Sequence, residues 1–197
     1  MKKPELLAPA GDLEKFKVAV QYGADAVFIG GTNFGLRSGA GNFSFEDMVE
    51  AVAFAKDYNV KIYVTTNIYA HNNDLTGFQQ YVEQLAAIGI TGIIVSDPFY
   101  IETAKRYAPD LEIHISTQQS VTNSDAANFF FEHGAHRVVL ARELTHEQIT
   151  EICQNRIGEI EIFIHGAVCS SYSGRCTLSN HMTARDSNRG GCCQSCR

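Results

Sequence analysis

Five of the six cysteines of this 197-residue chain, Cys169, Cys176, Cys192, Cys193 and Cys196, stand in its last 29 residues. A thiolate is a soft, electron-rich donor, so thiols brought together suit zinc, an iron–sulfur cluster or redox exchange. Their intervals run C-x6-C-x15-C-C-x2-C. Structural zinc favours close C-x2-C knuckles, and Cys193 with Cys196 alone has that spacing. Iron–sulfur clusters tolerate irregular intervals and are the better match, with zinc and a redox disulfide as alternatives. A nucleophilic reading also exists: Cys169 follows His165 by four residues, and an imidazole can activate a thiol, but no third, orienting group is evident. Cys153, alone in a helical stretch, reads as core.

The same segment differs in charge from the rest. Arg175, Arg185, Arg189 and Arg197 face one acid, Asp186, within a chain whose net charge is −6. The overall acidity argues against a general nucleic-acid coat, while the local surplus favours an anion near the thiols. Arg37, in a glycine-rich loop, and Arg142, at a strand end, extend the candidate anion-binding set that includes Arg175.

The elements that position these residues are legible in the pattern. Seven β-rich runs, "ELLAPA", "AVFIGG", "KIYVTTN", "GIIVSD", "EIHISTQ", "RVVLA" and "EIEIFIHG", alternate with helical stretches near 12–22, 44–58, 74–88, 98–107, 123–133 and 145–155. Crossovers of this length imply a parallel sheet. No G-x-G-x-x-G follows the first strand, and a helix-end, glycine, strand unit recurs, so the expectation is α/β, a TIM-type (β/α)8 barrel. Only seven strands are visible, so the barrel is expected to be incomplete. Residues 1–168 form its core and 169–197 the cysteine-rich segment.

Barrel active sites lie at the C-terminal ends of strands, where Asn67, Gln118 and His165 are found. Alternation should turn Ile113 and Ile115 outward and His114, Ser116 and Gln118 inward. It should likewise send Ile160, Ile162 and Ile164 to the helices and Glu161, Phe163 and His165 to the interior, with His114 and Glu161 as a candidate structural pair. His165, His114, Gln118 and Asn67 are the candidate substrate-positioning or catalytic residues. The start of the sequence does not read as a secretory signal and no stretch reads as membrane-spanning, so a cytoplasmic location is the expectation.

The stretch "EIFIHGAVCSSYSGRCTLS" resembles the signature of peptidase family U32, the collagenase-like proteins, and "ELLAPAGDLEKFKVAVQYGADAVFIGG", "FGLRSGAGNF" and "NRGGCCQSCR" are similar to the same family. The resemblance covers essentially the whole chain. It implies either a collagenase-like peptidase or an oxygen-independent hydroxylation protein acting on the wobble uridine of tRNA, on ribosomal RNA or on a ubiquinone precursor. It also implies a four-iron four-sulfur cluster, prephenate as a small carboxylate for the tRNA branch, and work alongside a partner subunit in some members. Carried over by position, Cys169, Cys176, Cys192 and Cys196 would be the cluster ligands. Family members continue into an eighth strand resembling "VDSFKIEGR", so the chain reads as an N-terminal piece. With no H-E-x-x-H or G-x-S-x-G motif present, RNA hydroxylation is the favoured expectation over proteolysis.

Overall fold

The computed structural model describes residues 3–36 and 41–196. Strands β1 (Leu7–Ala10), β2 (Ala26–Gly30), β3 (Lys61–Thr66), β4 (Gly92–Val95), β5 (Glu112–Ile115), β6 (Arg137–Val139) and β7 (Glu159–Glu161) form one parallel sheet in sequence order. Helices α1 (Leu13–Gln21), α2 (Phe45–Tyr58), α3 (Phe78–Ile88), α4 (Pro98–Tyr107), α5 (Ser124–Glu132) and α6 (His146–Asn155) make the crossovers, and a short α7 (Leu178–Thr183) lies in the cysteine segment. The sheet curls into an incomplete (β/α) barrel: among the described residues β1 and β7 remain its two edges.

Side-chain alternation sorts the strands into two faces. Val27, Ile29, Ile62, Val64, Ile93, Val95, Ile113, Ile115 and Val138 join the large core against the helices, where they meet Phe16, Met48, Val82 and Ile152. The opposite face gives the smaller cluster Ala26, Tyr63 and Ile94, backed by Leu7 and Phe28, inside the curl. Helix starts follow their caps: Asp12 accepts from Lys15 N at 2.8 Å, and Ser44 with Asp47 and Thr145 with Gln148 form capping boxes.

Two expectations need correction. The helix expected from residue 74 starts at Phe78, because Asn72–Asp74 takes a 3-10 turn and Gly77, at φ 87°, interrupts the chain before the helix. The alternation of "EIEIFIHG" does not continue as a strand: β7 ends at Glu161, where β6 also leaves the ladder, and Ile162 and Ile164 are exposed rather than packed on helices. Phe163 and His165 are exposed too, not interior.

The N-terminal end of the barrel is closed by charge rather than by hydrocarbon. Arg137, with a side chain only 6% exposed, donates to Glu5 at 2.7 Å, to Glu159 at 2.7 Å and to Glu161 at 3.5 Å, and its guanidinium lies 5.2 Å from the Tyr63 ring centre. Lys61 joins Glu5 to Glu112. His114 is fully buried, with its ring 4.3 Å from that of Tyr63 and its Nε2 3.1 Å from Glu112. The expected His114–Glu161 pair is therefore replaced by His114 with Glu112 and Glu161 with Arg137.

This floor gives the fold a pH dependence. The His114 hydrogen bond, helped by Lys61, pushes Glu112 down to about 2, and burial lowers His114 despite that bond. An ionised Glu112 can only accept, so His114 Nε2 carries the proton and Nδ1, which has no partner, does not. A depressed folded-state pKa gives stability that is present above the unfolded value and lost as pH falls. Acidification should therefore weaken the fold first below about pH 6.5 through His114, then between about 4.5 and 2 through Glu112, where at most about 3 kcal/mol is at stake. Burial raises Glu161, which opposes this trend near its own titration. Urea midpoints measured from pH 7 to pH 5 should fall for the wild type and stay flatter for His114→Gln; equal slopes would refute the assignment.

Candidate functional site

At the C-terminal mouth the backbone after β4 and β5 carries hydroxyl and amide groups. Gln118 is buried, and its Oε1 accepts from Ser96 Oγ at 2.8 Å and from Ser116 Oγ at 3.4 Å. Its backbone carbonyl accepts from Tyr69 Oη at 2.8 Å. Asn67, half-buried at the end of β3, accepts from Leu36 N at 3.4 Å and so touches the start of the glycine-rich loop.

The cysteine segment lies on this mouth as a flap, held at three points. Gly174 sits against the Gln118 carbonyl at φ 66°, so closely that a Cβ there would collide with it. Beside it, Ser173 is fully buried: its N–H and Oγ both donate to Glu143, at 2.9 and 3.2 Å, and Ser120 Oγ donates to its carbonyl. Arg142 spans this junction, with Nε to Ser173 Oγ at 3.2 Å, Nη1 to the Cys169 carbonyl at 3.4 Å and Nη2 to the Ser171 carbonyl at 3.3 Å. Further along, Arg189 donates to the Tyr69 carbonyl and to Asp74 at 2.7 Å. Within the flap, Ser187 Oγ and Asn188 Nδ2 both donate to the Cys176 carbonyl.

All five flap thiols are free, with Cys169, Cys192 and Cys196 exposed and Cys176 and Cys193 half-buried. A hydrogen bond from Ser187 lowers the pKa of Cys176, and Ser195, Thr183 and Ser179 bring Cys193 down to about 7. Cys193 is thus turned to hydroxyls of its own segment, at 3.0 Å from Ser195 Oγ and 3.4 Å from Thr183 Oγ1, while its neighbour Cys192 faces out. Among the described residues no three Cys, His, Asp or Glu side chains converge as a metal-binding group. The donor chemistry, soft thiols gathered on one segment, suits a cluster.

The remaining candidates are dispersed. His114 belongs to the floor network, not the mouth. His165 is exposed on the stretch after β7, and no described hydrogen bond joins it to Cys169. Arg175 is exposed on the flap, and its charge only partly offsets the burial that raises the pKa of the Tyr69 phenol. Arg37 lies outside the described residues. Arg142, expected to meet an anion, instead bonds the flap backbone. Sequence reasoning missed Ser120, Ser173, Gly174 and the Arg189–Asp74 pair; the glycine in "SYSGRC" was the one local signal of a tight docking point.

The fold and site define a class: an incomplete (β/α) barrel whose mouth is covered by a thiol-bearing flap. Residues 11–197 match Peptidase family U32, and the chain belongs to that family. It is 62% identical to the tRNA hydroxylation protein P1 of Bacillus subtilis strain 168, over 100% of this chain and 46% of that protein. It is 42% identical to a 23S rRNA 5-hydroxycytidine synthase of Escherichia coli strain K12, over 98% of this chain and 29% of that protein. The chain therefore spans less than half the length of these curated relatives. Among solved structures, a U32 peptidase superposes with a TM-score of 0.66 at 16% identity, covering 82% of this chain and 70% of that one, which supports the barrel fold alone. Among the described residues no helix is long and apolar enough to cross a membrane.

Proposed function

We propose that the chain is the barrel and flap portion of an RNA hydroxylation protein that acts, independently of molecular oxygen, on the wobble uridine of tRNA. The observation that carries this reading is the 62% identity to a tRNA hydroxylation protein over the whole chain, against 42% for the ribosomal RNA enzyme. Cys169, Cys176, Cys192 and Cys196 are the ligands assigned to a four-iron four-sulfur cluster, with zinc as the alternative. The outward-facing Cys192 supports its choice over Cys193. Prephenate, a dicarboxylate, is assigned to the arginine-bearing side of the mouth, where Arg175 is exposed and a planar guanidinium suits bidentate contact. A protein partner subunit and a cytoplasmic location belong to the same proposal.

Anaerobically prepared full-length protein should contain about four irons per chain, falling sharply in Cys169→Ser or Cys176→Ser. Digested tRNA from a strain lacking the gene should lose its hydroxylated wobble uridine, and the wild-type gene but neither serine variant should restore it. Unchanged tRNA in the deletion strain would reject the reading. The peptidase alternative predicts instead a metal-free protein whose proteolysis depends on Cys169 and His165.

A further inference from the structure

Outside the mouth, a cleft of about 580 Å³ opens between the turn after β2, the segment after β3 and helix α3. A smaller one of about 310 Å³ adjoins it and shares Asn33, Tyr81 and Gln84. Asn33, Gln80 and Gln84 present primary amides, each with a donor and an acceptor side by side, while Phe34, Ile68 and Tyr81 form an aromatic and aliphatic floor. Phe34 and Tyr81 lie with ring centres 5.3 Å apart. The carboxylate in the lining, Asp74, is paired with Arg189 at 2.7 Å, so the cleft presents little free charge.

The Tyr81 hydroxyl is buried beside Gly31, so what Tyr81 offers the cleft is its ring. Gly77, also in the lining, begins α3 with no side-chain cap, leaving first-turn N–H groups without a side-chain acceptor. Planar ligands that pair donors with acceptors at their edge and offer a π-face are nucleobases, and single-stranded RNA is recognised by that combination of stacking and edge hydrogen bonds. A phosphate would suit the uncapped helix start.

We propose that this cleft binds one unpaired nucleotide of the RNA, flanking the one presented to the mouth, with the base edge on Gln80, Gln84 and Asn33 and the base face on Phe34 and Tyr81. The inference rests on the RNA reading above and adds a second subsite to it. The two sites are joined through the flap: Arg189 bonds both Asp74, in the cleft wall, and the carbonyl of Tyr69, whose hydroxyl reaches Gln118 at the mouth.

The test is a titration of this chain with each of the four nucleoside 5′-monophosphates and with ribose 5-phosphate, followed by NMR of the side-chain amides. Saturable shifts of the Gln80 and Gln84 amides with at least one nucleotide are expected. Gln84→Ala should weaken that binding about tenfold, the loss of one to two hydrogen bonds. Gln79→Ala, on the same helix but bonded to Glu83 at 3.2 Å, should not. No shift with any nucleotide, or equal shifts with ribose 5-phosphate, overturns base recognition. Preferential shifts with a polar peptide would overturn it equally. In cells, a Gln80→Ala/Gln84→Ala strain with wild-type levels of hydroxylated wobble uridine would refute the subsite while sparing the proposed function. Retention of the hydroxylated wobble uridine in the deletion strain would instead refute the function itself.

Discussion

Arg137→Ala is expected to destabilise the fold by about 3–5 kcal/mol, the cost of leaving buried charges without their counter-ion. The residue holds three carboxylates at once, from Glu5, Glu159 and Glu161, and its guanidinium packs on Tyr63. Burial opposes its charge, but the carboxylates more than compensate and hold its pKa above the ordinary value. Removing it would leave Glu5 and Glu161, both largely shielded from solvent, repelling one another inside the curl. Against a total stability of about 5–15 kcal/mol, that loss should produce partial unfolding near 37 °C. Arg137→Lys keeps the charge but loses the fork that reaches Glu5 and Glu159 together, and should fall between the two. Urea denaturation followed by circular dichroism would check the series; an alanine variant within about 1 kcal/mol of wild type would show that the network contributes little.

Gly174→Val should release the flap while leaving the barrel folded. The position has φ 66°, a backbone region that costs a β-branched residue roughly 1–2 kcal/mol, and its Cβ would strike the Gln118 carbonyl. Relief requires the Ser173–Gly174 turn to lift, which breaks the bonds from Ser173 to Glu143 and from Arg142 to the Cys169 and Ser171 carbonyls. Because the hydrophobic core lies between sheet and helices, urea stability should change by less than about 1 kcal/mol, whereas trypsin should cut at Arg175 and Arg185 at least about tenfold faster. RNA hydroxylation by the full-length variant should be lost. Unchanged proteolysis would mean that the flap is held elsewhere, with Arg189 and Asp74 the remaining anchor.

Much of this architecture is written in local pattern. Asp12, Ser44 and Thr145 announce their helices because capping is a matter of three or four neighbouring residues, and the outward isoleucines of β5 follow from pleat alone. The failures share a physical origin in long-range partners. "EIEIFIHG" alternates through eight residues, yet a strand lasts only as long as its neighbour, and β6 departs after Val139. His114 was read as inward and is, but whether an inward histidine faces floor or mouth depends on Glu112 and Tyr63, one of them 51 residues away. Arg142 carried no sign that its guanidinium would bond carbonyls some thirty residues downstream. The cysteines were legible as a donor set, whereas their spread over the flap follows from its docking, which local spacing does not encode.

The charged floor also bears on the order in which the molecule can be made. Its members are Glu5, Lys61, Glu112, Arg137, Glu159 and Glu161, and the Glu5–Arg137 bond spans 132 positions. A ribosome adding about 5–20 residues per second leaves Glu5 waiting for its guanidinium for about 7–26 seconds. During that interval the early strands can pair and gather their helices, with Lys61 as the floor's one cation. Closure of the floor is thus deferred until β6 and β7 have both emerged, because Arg137 stands on one and Glu159 and Glu161 on the other.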